Sequence, residues 1–150
     1  MNNLDSRLNS AWWGLRIGLG AAAFLAGLDK FFNLLVDWAA YLSPIAVNLL
    51  PLSPAVLMRA IGVVEMAVGL AILTRWTRLG SYVAMLWLLA IAANLVTTGR
   101  FFDIAVRDVE MAIAAYALAR LTEVRSESSA VRPASTDREL LGLGRTPRAA

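Results

Sequence analysis

The sequence predicts an all-α membrane protein: a bundle of four transmembrane helices with short interfacial helices between the first and the second. Three observations carry this. Of the 150 residues, 59% are hydrophobic and only 17% are charged, where soluble domains carry roughly 25% charged residues. The mean hydropathy is +0.62, and a chain this short has too little interior to hide so much apolar surface from water. Apolar stretches near the ~20 residues that cross a ~30 Å hydrocarbon core as a helix recur four times. Composition therefore excludes a soluble enzyme, a disordered chain and a nucleic-acid binder. The pI near 10.0 reflects a net charge of +3 spread over loops and tail, not a basic face.

Taken in order, residues 1–11 form an N-terminal tail and the spans fall at about 12–32, 55–74, 79–98 and 104–121. The first span is too long for the apolar region of a signal peptide, and it closes on Asp29-Lys30 without a small-residue cleavage site. Between the first two spans, Leu34, Leu35, Trp38, Leu42, Ile45 and Leu49 recur at helical spacing, broken by Pro44, Pro51 and Pro54. Such a segment suits short helices lying in the interface, or a lid over the bundle. The third span carries no charge between Leu79 and Gly99, whereas the fourth opens on Arg107, Asp108 and Glu110. From Thr122 to Ala150 the chain turns polar and aperiodic, the composition of a disordered tail.

Charge asymmetry orients the bundle. With the N-terminus inside, Arg7, Arg16, Arg75, Arg78, Arg120, Arg125, Arg132, Arg138, Arg145 and Arg148 are cytoplasmic. Lys30, Arg59, Arg100 and Arg107 are not. This predicts a multi-pass protein with both termini cytoplasmic, and the expected location is a bacterial-type plasma membrane. Trp12, Trp13 and Trp76 on one side, with Phe31, Phe32, Trp38, Phe101 and Phe102 on the other, suit aromatic belts.

Ionisable groups inside spans cost about 2.5–3.5 kcal/mol each at a helix centre, so they tend to be paired or functional. Here Asp29, Lys30, Arg59, Glu65, Asn94, Arg107, Asp108 and Glu110 all fall in the outer half of the predicted bundle. Counting about 1.5 Å per residue puts Glu65 about 15 Å into its helix, near the midplane. Three readings follow. Arg59 or Arg107 pairs with Glu65, Asp108 or Glu110; or the cluster lines a small polar cavity; or it receives the headgroup of a quinone or lipid. Gly20 and Gly27 in the first helix, and Gly62 and Gly69 in the second, form small-residue stripes suited to close helix packing. With no Cys and no His, the chain has no thiol chemistry and none of the usual zinc or haem ligands. No metal or haem is expected.

Several motifs stand in a distinctive order. They are Leu15-Arg16-Ile17-Gly18, then Phe24-Leu25-Ala26-Gly27-Leu28-Asp29-Lys30-Phe31, then Arg59 to Leu70 through Gly62, Glu65 and Gly69. The Arg75–Arg78 turn and Val106-Arg107-Asp108-Val109-Glu110 complete the series. From Trp12 to Leu121 the chain resembles the DoxX family of small four-helix membrane proteins, related to a subunit of thiosulfate:quinone oxidoreductase. The resemblance implies an accessory or quinone-facing subunit of a membrane oxidoreductase or oxidative-stress complex, with no redox centre of its own. It also implies a soluble or membrane-bound redox partner. A non-enzymatic anchor or scaffold is the alternative, and a small-solute transporter a weaker one, since four short-looped helices leave a narrow path without homo-oligomerisation.

Overall fold

The computed structural model describes residues 3–49 and 52–140, with side chains from 6 to 127 apart from the gap. Helices are its only regular secondary structure among these residues. Helix α1 spans Asn3–Asp29, followed by a 3-10 turn at Trp38–Tyr41 and the short α2 at Pro44–Leu49. The long helices α3 (Pro54–Leu73), α4 (Thr77–Thr97) and α5 (Phe102–Leu140) complete the chain. Three helical stretches are long and apolar enough to cross a membrane: Ser6–Asp29, Pro54–Leu73 and Thr77–Thr97. The matching part of α5 stands apart because Asp103, Arg107, Asp108 and Glu110 crowd its first turns.

Local chemistry sets the helix ends. Helix α1 stops at Asp29 because Asn33 takes a positive φ of 51° and its N–H returns to the Asp29 carbonyl at 2.7 Å. The expected span to Phe32 is therefore shortened. Ser53 caps α3 by accepting from the Val56 N–H, with Pro54 in the first turn. At the far end of α3 the Arg16 guanidinium reaches across from α1. It donates to the carbonyls of Ile72 (3.0 Å), Leu73 (2.7 Å) and Thr74 (2.6 Å), acceptors that a helix end would otherwise leave open. Positive φ at Gly99 (68°) and Phe101 (60°) turns the chain from α4 into α5.

The four long helices pack as a ring: α1 on α3, α3 on α4, α4 on α5, and α5 back on α1. The antiparallel α1–α3 contact is backbone against backbone. A Cβ on Gly27 would lie 2.5 Å from the Gly62 carbonyl oxygen, and one on Gly69 would lie 2.7 Å from that of Gly20. The small-residue stripes thus face each other. Gly14 and Gly18, by contrast, meet nothing. Ile72, Ala115 and Leu118, with Trp12, Leu19, Val68 and Ala84, fill the core at one end. Ala92, Leu95 and Ala105 fill it at the other.

Two expectations change. Helix α5 does not end at Leu121. It runs on to Leu140, and its Thr122 hydroxyl accepts from the Trp12 indole N–H at 2.8 Å. Glu123 accepts from the Tyr82 hydroxyl at 3.0 Å. The boundary between bundle and tail therefore lies beyond Glu123, because these polar residues find partners on α1 and α4. Residues 141–150 lie outside the described set. Trp12 is also no belt residue: it is buried, with the Arg16 and Arg125 guanidinium carbons 4.8 and 4.5 Å from its ring centre.

Candidate functional site

The end of the bundle where α1 stops is roofed by the segment from Asn33 to Leu49. Its short helices were expected, and side chains pin them down. Asn94 of α4 donates to the Tyr41 carbonyl at 2.7 Å and accepts from the Ser43 N–H at 3.1 Å. Ser43 in turn caps α2 through its hydroxyl. Tyr41 packs edge-on against Phe101 at 4.7 Å and against Trp38 at 5.9 Å. Asp29 accepts from the N–H groups of Leu34 and Leu35, both at 3.1 Å, and from the Trp38 indole at 2.7 Å. Three donors satisfy that carboxylate and hold the roof to α1.

Beneath the roof lies a buried ion pair. The Lys30 Nζ sits 2.5 Å from Glu65 Oε2, with side chains only 4% and 9% exposed. The face of Trp38 covers the ammonium at 3.8 Å. This partner differs from the expected Arg59 or Arg107. The glycine contacts fix the α1–α3 register so that Lys30 reaches Glu65, while Arg59, six residues from Glu65, sits about 120° around the helix and is exposed. Glu65 Cβ lies beside Gly27, within a turn of the end of α1, because the first turns of α3 project past that end.

Helix α5 adds Asp108, buried and within electrostatic range of both Lys30 and Glu65. Its ion-pair contact is Arg107 at 3.4 Å, whose side chain is 61% exposed. Glu110 points away and is exposed. From α4 comes Trp87, which sequence reasoning passed over. Its indole N–H is shielded from solvent and, short of full hydrogen-bond geometry to any acceptor, is directed at the Glu65 carboxylate. The available signal was its position: an N–H donor in the middle of a charge-free span.

The structure thus joins Asp29, Lys30, Glu65 and Asp108 at one place and adds Trp38 and Trp87. Asn94 serves the roof, and Arg59 and Glu110 stay outside. One buried lysine faces three buried carboxylates. Asp29 is satisfied by N–H donors, and Glu65 by Lys30. Asp108 has only a long contact to an exposed arginine, and the Trp87 donor has only a loose contact with Glu65. The cluster can therefore accept a hydrogen bond at Asp108 and give one at Trp87. Among the described residues no group of three His, Cys, Asp or Glu side chains could hold a metal ion. No protein family, curated protein or solved structure matches the chain.

Proposed function

We propose that the protein is an integral membrane subunit of the DoxX type. In this reading α5 is the fourth span, both termini are cytoplasmic, and the roofed cluster takes a quinone headgroup for a membrane oxidoreductase. The observation that carries this is a buried cluster around Glu65 that holds a loosely bonded donor, Trp87, and an under-served acceptor, Asp108. A quinone offers the complement: a carbonyl that accepts from the indole, and on reduction a hydroxyl that donates to a carboxylate. The donor and acceptor present match the polar atoms of that group in kind.

A bound quinone would supply two-electron, two-proton redox chemistry. The chain's own residues would do the rest. Trp87 orients the headgroup, Asp108 or Glu65 takes up or gives a proton, and Lys30 fixes the position of Glu65. The Trp38 roof excludes bulk water, which strengthens each of these contacts. With no Cys or His to carry electrons, the electrons come from a soluble or membrane-bound redox partner.

Retention of quinone on protein purified in mild detergent, read by native mass spectrometry, tests this. Trp87→Phe and Asp108→Asn should each lower retention about tenfold, the effect of losing one hydrogen bond near a charge, with little change in melting temperature. Unchanged retention in both variants overturns the reading. A second reading, a non-enzymatic anchor, is favoured by the tight Lys30–Glu65 pair at the α1–α3 seam. It predicts no retained quinone at all.

A further inference from the structure

We propose a second site: the chain holds an anionic phospholipid of the bilayer at the α3–α4 turn, its phosphate at Arg75 and Arg78 and one acyl chain along the α3–α4 seam. The proposal rests on the membrane-spanning reading but not on the quinone site, which lies at the opposite end of these helices.

Two adjoining features carry it. Around the turn, a cleft of about 550 Å³ is lined by Arg75, Trp76, Arg78, Leu79 and Tyr82. A groove of about 310 Å³ also contains Leu79 and continues over Val64, Ala67, Ala71, Gly80 and Val83. The first is cationic and aromatic, the second purely apolar. They meet at Leu79, which belongs to both.

The cationic part has unspent charge. Glu123 accepts from Tyr82 and Arg78, both at 3.0 Å, and also from Arg120. One carboxylate thus anchors two guanidiniums and a phenol, which fixes Arg78 in place. Arg75 has no ion pair among the described residues; its guanidinium rests 5.9 Å from the Trp76 ring centre. Three arginines against one glutamate leave an anion-seeking surplus, and guanidinium forks match phosphate oxygens. Trp76, 56% exposed, suits the headgroup level of a bilayer.

The apolar part has a lipid's shape. From Val63 to Ala71 it follows α3 for about 12 Å, close to the ~15 Å of one leaflet's hydrocarbon. It exists because Ala67, Ala71 and Gly80 stand where larger side chains would close the seam. A free phosphate would use the arginines and leave this groove bare; an anionic lipid uses both.

The test compares phosphatidylglycerol with phosphatidylcholine on detergent-purified protein by native mass spectrometry, with inorganic phosphate as competitor. Wild type should keep phosphatidylglycerol in preference. Arg75→Gln with Arg78→Gln should lose about tenfold of that preference, and Lys at both positions should restore most of it. Ala67→Leu, which fills the groove without touching charge, should also lower retention. Melting temperatures report whether each variant folds. No preference in wild type, or full retention in folded Gln variants, overturns the proposal. Full retention in Ala67→Leu, or complete displacement by phosphate, reduces the site to an adventitious anion patch and overturns it too. Release of the protein from membranes by alkaline wash would instead defeat the membrane-spanning reading itself.

Discussion

Removing the cation from the buried cluster should hurt more than removing an anion. Lys30 is the one buried lysine facing Asp29, Glu65 and Asp108, and its contact with Glu65 is 2.5 Å long between nearly solvent-free side chains. Lys30→Met keeps the length of the side chain but strands the Glu65 carboxylate without a counterion. Breaking a buried pair in this way costs about 3–5 kcal/mol. At roughly 2–4 °C per kcal/mol for a chain of this size, melting in detergent should fall by about 10 °C. Glu65→Gln leaves the ammonium an amide oxygen to donate to, the Trp38 face above it and Asp108 nearby. Its cost should be about 1–2 kcal/mol, a few degrees. The double variant Lys30→Met with Glu65→Leu should recover part of the loss, since it removes both charges together. Thermal unfolding at a fixed scan rate reads all three. Equal losses for the two single variants, or a double variant as unstable as their sum, would refute the charge balance argued here.

Three further outcomes follow from the packing. Gly27→Leu should push α1 from α3, because even a Cβ there would meet the Gly62 carbonyl oxygen at 2.5 Å; expression and melting should both drop, whereas Gly14→Leu, in open space, should be tolerated. Asn94→Leu should loosen the roof, giving faster hydrogen exchange from Trp38 to Val47 with little change in α4. Reporter fusions should be cytoplasmic after Ala150 and exported within residues 33–53; an exported C-terminal fusion would defeat the orientation.

Much of this arrangement could be read from the sequence, and the parts that could not have physical reasons. Helices α3 and α4 show as long apolar runs, the first broken by Arg59 and Glu65, and Pro44 and Pro54 mark where α2 and α3 start. The glycine stripes were visible on each helix separately. Only their contact, Gly27 on Gly62 and Gly20 on Gly69, sets the register that brings Lys30 to Glu65. Spacing along one helix cannot supply that, so Arg59 and Arg107 looked equally eligible. Thr122 and Glu123 read as tail because their partners, Trp12 and Tyr82, are distant in sequence. Trp87 was passed over because an indole in an apolar run looks like core until its N–H is found directed at Glu65.

Infrared difference spectroscopy on purified protein in lipid, recorded on adding quinone, tests the central claim most directly: that the roofed cluster is a ligand site built on a structural pair. The account predicts a difference band from a buried carboxyl group, lost in Asp108→Asn and in Trp87→Phe, and kept in Glu110→Gln, whose side chain is exposed. A spectrum without a carboxyl band, or one that persists unchanged in Asp108→Asn, would contradict it.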